Sequence, residues 1–556
     1  MNLYDKSSLI LVPGAVKDGK VYSQRPENGD GDFTFSRASS ATRVDKNGLI
    51  EKGRENLLLQ SNQFDTTWNK PNPSTITQGF QGYDGSLNAW KFTATAAGTT
   101  QLGQTHNASG MIVQSIYAKA GSNDVLKIYV GLVAEFNLTT GEASYSQSKM
   151  TNVGNGWWRC EVYKPYVTFN PFFTSTGSGD FIYLMNAQTE KGLVATDYIE
   201  TGASTAQSGI LEDMPRLDYS GGASCPSLLL EPQRSNLIVQ SEYFGGPEWQ
   251  IFDNATIEDN FGTSPEGVQN AAKIGSNGGG NDFIYEILSV TIGTTYTTSC
   301  FVKNIDSTRT GIYGVNRSDC NVTWNGAEID SVSGTNVDFD DYGNGWYRVW
   351  QTSTATETNP VMRFYSHNEG TRDGSVLLYG YQVEVGSYPT SYIPTYGSSV
   401  TRSRDFMNEQ ISGLTSLEQG TFFLDFDRGL TNAVARDASA DGLNYRSTSS
   451  FPSNTAIEIA TDIGGAVRLA LRLGSFNGIY SDNTLSRYKM LVKWSGSEVK
   501  AYVNGALEYS SSVKWGDALA PLQYIGYNAT FRKSVNQLLT FPTALTDSEC
   551  IALTTL

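Results

Sequence analysis

Arg54-Glu55-Asn56-Leu57-Leu58-Leu59-Gln60-Ser61-Asn62-Gln63-Phe64 and Arg234-Ser235-Asn236-Leu237-Ile238-Val239-Gln240-Ser241-Glu242-Tyr243-Phe244 are two versions of one motif. Later landmarks recur in the same order. Gly154-Asn155-Gly156-Trp157-Trp158-Arg159 answers to Gly343-Asn344-Gly345-Trp346-Tyr347-Arg348, Gln188-Thr189-Glu190 to Gln382-Val383-Glu384, and Asp197-Tyr198-Ile199-Glu200-Thr201 to Ser391-Tyr392-Ile393-Pro394-Thr395. Units recurring at roughly 180 residues are whole domains in tandem, since solenoid repeats have periods of about 20–50. The spacing between matched landmarks widens along the chain, so the second copy carries extra loop residues.

Within each copy the apolar alternation has period two: Val113-Gln114-Ser115-Ile116-Tyr117-Ala118-Lys119 matches Thr297-Thr298-Ser299-Cys300-Phe301-Val302-Lys303. The chain has 12% aromatic residues, 56 glycines and only 17% charged residues, a balance that favours strands and tight turns over charged helices. The expectation is an all-β protein, built from tandem jelly-roll β-sandwiches with a β-rich N-terminal leader. The 556 residues are enough for three or four cores.

The domain reading is a leader over 1–53, a first module over 54–205, a linker over 206–233, a second module over 234–400, a linker over 401–415 and a last sandwich over 416–556. Asp18-Gly19 and Asn47-Gly48 are expected hairpin turns in the leader, and Asn504-Gly505 another near the end. Gly221, Gly222, Ser224 and Pro226 mark the first linker. Phe35-Ser36-Arg37-Ala38-Ser39-Ser40-Ala41-Thr42-Arg43-Val44 has an echo in Ser398-Ser399-Val400-Thr401-Arg402-Ser403, and both read as connectors. Thr546-Asp547-Ser548-Glu549 is a capping box opening a short terminal helix.

A net charge of −16 repels phosphate backbones and anionic lipid, so neither nucleic acid nor membrane is an expected partner. The five cysteines are scattered and odd in number, and there are two histidines, which argues against a disulfide framework and a zinc site. Leu9-Ile10-Leu11-Val12 stops at Pro13 and is too short for a signal-peptide core, so folding in a cytoplasm is expected. Phosphate-binding glycine loops, Gly-x-Ser-x-Gly and His-Glu-x-x-His are missing from the sequence.

The repeated modules resemble the phage head spike fibre domain, itself similar to jelly-roll carbohydrate-binding modules. The resemblance rests on Arg54 to Phe64 with Trp68, on the Trp157-Trp158-Arg159 strand, and on Tyr381-Gln382-Val383-Glu384-Val385-Gly386 with Thr390 to Thr395 in the second copy. The leader stretch Phe35 to Val44 looks like sequence found in phage virion proteins. Val492-Lys493-Trp494-Ser495-Gly496 leading to Val499-Lys500-Ala501-Tyr502-Val503-Asn504-Gly505 resembles concanavalin A-like and laminin-G-like sandwiches. These resemblances imply a virion appendage located on the particle and assembled in the host cytoplasm. They also imply contact with other virion proteins through the leader, a homotrimer by analogy with phage fibres, no resident cofactor, and room for calcium.

Residues shared by the copies are expected to serve folding. Trp157 with Trp346, Arg159 with Arg348, and the Gln188/Glu190 and Gln382/Glu384 pairs read as core and bracing. Aromatics present in one copy are free to meet a ligand, because ring faces stack on sugar C–H groups. Tyr166, Phe169, Phe172, Phe173, Trp324 and Trp350 are therefore the candidate glycan contacts. Asp338, Asp340, Asp341, Glu328 and Asp330 supply carboxylates, but their spacing singles out no acid and nucleophile pair. Asn28-Gly29-Asp30-Gly31-Asp32 opens like a calcium loop, yet Ser39 stands where an EF-hand needs a glutamate. The expectation is a non-enzymatic appendage that binds host-surface polysaccharide. A polysaccharide depolymerase and a purely structural connector are the alternatives.

Overall fold

A computed structural model describes residues 2–556 except 73, 166–167, 277–281, 318, 368–373, 411–417, 428–442, 447–454, 462–466, 474, 483, 513–523 and 529–532. The described chain is almost entirely antiparallel β, with two short α-helices, Leu3–Lys6 and Asp547–Thr554, among the described residues. The Thr546 side chain accepts the Glu549 N–H and the Glu549 carboxylate accepts the Thr546 N–H, so the capping box forms.

The two copies of the repeat are two-sheet sandwiches with one topology. In the first, Ser148–Gly154, Trp157–Tyr163, Ile112–Ala120, Phe181–Lys191, Ala89–Ala94 and Ser74–Phe80 lie side by side. Val337–Asp341, Tyr347–Thr354, Thr295–Asn304, Gly374–Val385, Ala271–Ser276 and Ala255–Gly262 repeat that order in the second. Even the β-bulge is duplicated: register shifts between Ser115 and Tyr117 and again between Ser299 and Phe301. Opposite them Asn186 and Gly380 take positive φ, the extra residue a bulge requires. The first and last strands close each module, Arg54–Asn56 on Ala206–Ser208 and Arg234–Asn236 on Val400–Arg402.

The leader and both linkers are the main departure from expectation, because all three are built into the last sandwich. Leu9–Leu11 and Ser227–Leu230 both pair with Lys533–Phe541, and Arg216–Asp218 extends that sheet. Phe33–Ser36 pairs with Phe406–Gln410 in the facing sheet. Leu9, Leu11, Val21, Phe33, Phe35, Leu228, Leu230 and Met407 share one core with Phe422, Trp494, Val499 and Leu538. Residues 206–233 are thus no passive linker, and the leader is not a free attachment arm: its apolar side chains complete a core that residues 416–556 leave open. Short apolar runs such as Leu9-Ile10-Leu11 are buried-strand signals whose partner, more than 500 residues away, no local pattern reveals.

Three arginines, two of them in the echoed stretches, mark where these pieces meet. Arg37, Arg216 and Arg402 are buried with Glu231 and Asp405. Arg37 to Asp405 is 3.2 Å, Arg216 to Glu231 2.7 Å and Arg402 to Glu231 2.6 Å, and Arg216 also pairs with Asp405. Another leader segment, the hairpin of Thr42–Val44 and Ile50–Lys52, docks on the outer sheet face of the second module. There Ile50 joins Phe301, Trp346, Leu377, Tyr379 and Tyr392 in a satellite core. The matching face of the first module is filled by its own Tyr83, stacked on Tyr117 at 4.1 Å. The modules also touch directly, through Gln147 Nε2 to Tyr243 OH at 3.1 Å and Asn260 Nδ2 to the Leu193 carbonyl at 3.1 Å.

Candidate functional site

The second sheet of the second module comprises Gln250–Phe252, Phe283–Ile287, Val361–Tyr365, Arg309–Tyr313, Asp319–Asn325 and Glu328–Ser333. Alternation sends Ile284, Met362, Phe364, Ile312, Cys320 and Val322 into the core. Their neighbours Phe283, Tyr285, Arg363, Tyr365, Tyr313 and Asn321 therefore line the outer face. Phe252 stacks on Phe283 with centroids 4.6 Å apart at 10°, Phe283 meets Tyr365 at 4.9 Å, and Tyr365 meets Tyr313 at 5.0 Å. This is a continuous row of rings across four strands, in which Phe283 and Tyr365 are buried at 6% and 5% exposure, Tyr313 is half-buried, and Phe252, 47% exposed at the end, offers the accessible ring.

Polar groups flank the row. The Arg363 guanidinium sits 4.9 Å from the Phe283 ring and donates to Tyr365 OH at 3.3 Å, while its Nε has no hydrogen-bond partner. Tyr285 OH donates to Gln250 at 2.5 Å, and Asn321 Nδ2 donates to Asp319 at 2.9 Å. Gly311 stands between Tyr365 and Asn321 in the register, and a glycine inside a strand leaves room for close approach. Rings, an amide, a carboxylate and a guanidinium on one face suit a hydroxyl-rich, partly apolar ligand.

The first module does not repeat this row. Its corresponding sheet turns out Phe172, Lys127 and Tyr129, with Lys127 paired to Glu135 at 2.8 Å. The aromatic row is therefore a property of one copy. The filter of shared against unshared residues named aromatics in both modules, and the residues of this row are not among them. Phe283, Tyr285, Tyr313 and Tyr365 are not among the sequence candidates, since aromatics in strands are ordinary sheet residues. The available signal was the period-two pair Phe283 and Tyr285 on one strand.

Tyr166 lies outside the described residues. Phe169 and Phe173 are fully buried in the core of the first module, 6.0 Å from Trp68 and 5.6 Å from Phe92 respectively. Trp324 points into the core of the second, where Nε1 donates to Thr310 Oγ1 at 2.8 Å. These three present no ring face to solvent, and packing claimed them. Trp350 is buried on the opposite sheet, whereas Phe172 is half-buried and faces outward. The candidates are not brought together into one site.

The shared polar pairs are bracing, as the repeat implied. Glu190 accepts the Thr196 N–H and Glu384 the Thr390 N–H, while Gln188 and Gln382 accept from Ile199 and Ile393 at 2.7 Å each. Arg159 and Arg348 donate to carbonyls of the same return segments. Beneath the aromatic row Glu286 turns inward. Burial pushes its carboxyl up to about 8, partly offset by the Val239 N–H, and its Oε2 has no partner. In the Asn28 to Asp32 turn, Asn28 Oδ1 accepts the Asp30 N–H and Asp32 pairs with Lys20 at 3.0 Å. A cavity of about 260 Å³ at the junction of leader and modules is lined by Lys52, Arg54 and Arg402, whose charges Glu242, Glu266 and Glu231 already answer.

No family model and no curated protein matches the chain. Among solved structures it is similar to the CBM40 of the Ruminococcus gnavus IT-sialidase, with 15% identity, 26% of this chain, 86% of that one and a TM-score of 0.20. It is also similar to the CBM22-1–CBM22-2 tandem domain of Paenibacillus barcinonensis Xyn10C, with 11% identity, 59% and 97% covered and a TM-score of 0.20. The LG1–3 region of the laminin alpha2 chain gives 9% identity, 81% and 93% covered and a TM-score of 0.12.

Proposed function

We propose that the protein is a non-catalytic glycan-binding appendage whose second module holds saccharide on the Phe252–Phe283–Tyr365–Tyr313 row. The row itself carries this reading: three rings in near-contact across adjacent strands, ended by an exposed fourth, with Arg363 Nε unpaired beside them. Phe252 is 47% exposed and Tyr285 and Tyr313 are half-buried, so a ligand stacked at that end of the row removes their apolar surface from water while Phe283 and Tyr365 support it from beneath. On the resemblance of the repeats and of residues 35–44 to phage virion proteins, the appendage belongs to a virion and its ligand is a host-surface polysaccharide. Trimeric assembly would multiply weak single-site affinity through effective concentration.

The test is to titrate the full chain against purified capsular and lipopolysaccharide glycans while assaying for new reducing ends. Saturable binding without release of reducing ends supports the reading. Release of reducing ends establishes a depolymerase instead, and an absence of binding across the panel leaves a structural connector.

A further inference from the structure

The leader hairpin that caps the second module buries a lysine beside an asparagine and a glutamate. Lys52, Glu242 and Asn270 are each at least 96% buried, being 4%, 1% and 3% exposed. Lys52 Nζ lies 2.5 Å from Glu242 Oε1 and 2.7 Å from Glu266 Oε2. Asn270 Nδ2 lies 3.1 Å from Glu242 Oε2 and 3.1 Å from that same Glu266 Oε2. Amine and carboxamide are thus held by both carboxylates at once, and Asn270 Oδ1 has no hydrogen-bond partner. Tyr379, Tyr392 and Tyr396 wall the site, with Nζ 5.2, 5.5 and 5.8 Å from their rings.

We propose that Lys52 and Asn270 form an intramolecular isopeptide bond, with Glu242 as the proton carrier. A buried amine with a carboxylate to take its proton is an activated nucleophile, and the two carboxylates that bind both amine and carboxamide hold nucleophile and electrophile in one enclosed site, which lowers the entropic barrier. Lys52 gives one proton to Glu242, and its neutral Nζ attacks Asn270 Cγ. Half a turn of the amide exchanges Nδ2 and Oδ1 and sets the carbonyl oxygen against the new carboxylic acid. A second Nζ proton passes to Nδ2, the Cγ–Nδ2 bond breaks and ammonia leaves. Glu242 remains protonated, and Arg54 stays paired with Glu266, so the product carries no unbalanced buried charge. Asn62, Asp84 and Asn88 stand at the matching positions of the first module. That copy keeps the asparagine but has neither the catalytic glutamate nor a docked lysine.

Intact mass spectrometry of the purified full chain tests this. The expected mass is about 17 Da below that of the sequence, the loss of one ammonia, with a branched peptide joining Lys52 to Asn270 after digestion. Glu242→Gln and Asn270→Ala are expected at their full sequence masses. A protease site inserted at the exposed turn around Ser178 gives a second readout. After cleavage the wild-type halves stay joined on a denaturing gel, and the Asn270→Ala halves separate. Wild-type chain at its full sequence mass with a free Lys52 peptide, or an ammonia loss mapped elsewhere, overturns the proposal whatever the variants do.

Discussion

Asp405→Asn is the sharpest perturbation of the joint between leader, linker and last sandwich. Asp405 accepts from Arg37 and Arg216 and from the Glu231 N–H at 2.7 Å, with no solvent-exposed side-chain surface. Burial already lowers the Arg37 guanidinium to about 10 even with Asp405 beside it. Neutralising the carboxylate leaves three buried guanidinium groups to Glu231 alone. Breaking a buried pair from one side costs about 3–5 kcal/mol, which raises local opening roughly a hundred- to several-thousand-fold. A single melting temperature is ill-defined for several sandwiches in one chain, so the assay is native-state hydrogen exchange read at Leu9–Leu11 and Ser227–Leu230. Glu357→Gln, which breaks the exposed pair with Arg317 at 2.7 Å, is the control and costs no more than about 1 kcal/mol. Equal protection loss in the two variants, or a loss below about 1 kcal/mol for Asp405→Asn, would refute the claim that this cluster locks the leader into the fold.

Three further outcomes follow from the packing. Glu286 has a folded-state pKa near 8 against an ordinary 4.5, so the native state holds the extra proton and stability of the second module falls as pH rises between these values. Glu286→Gln removes that slope and stabilises the module by a few kcal/mol at pH 9 while changing little at pH 4, read by denaturant titration at both pH values. Trp324→Phe loses the bond to Thr310 and costs about 1–3 kcal/mol with glycan affinity unchanged; a selective loss of affinity in a stably folded variant would return Trp324 to the site. Gly110→Ala meets the Tyr396 carbonyl and starts from φ +84°, so it should loosen the packing of the first module on residue 396, seen as faster exchange at the Met111 N–H, which donates to that carbonyl at 2.7 Å.

Much of the architecture was legible because the repeat states it twice. Trp157 and Trp346, the Asn-Gly turns and the Gln/Glu braces all sit where duplication placed them, since each obeys strand alternation or turn chemistry within a few residues. What was not legible is long-range. Leu9-Ile10-Leu11 and Ser227-Leu228-Leu229-Leu230 look like a leader and a linker until Lys533–Phe541 pairs with both. The candidate site was half legible. Uniqueness to one copy gave candidates in both modules, and it favoured large isolated rings such as Phe169, Phe173 and Trp324, which cores claim first. The proposed row uses residues that come together only when four strands align.

The account turns on whether the row on the second module binds saccharide. Calorimetric titration of the best glycan from the panel into wild type, Phe252→Ala and Phe172→Ala measures it directly. The expected result is at least a tenfold affinity loss, about 1.4 kcal/mol, for Phe252→Ala and wild-type affinity for Phe172→Ala. Undiminished binding by Phe252→Ala together with loss in Phe172→Ala would contradict the account and move the site to the first module.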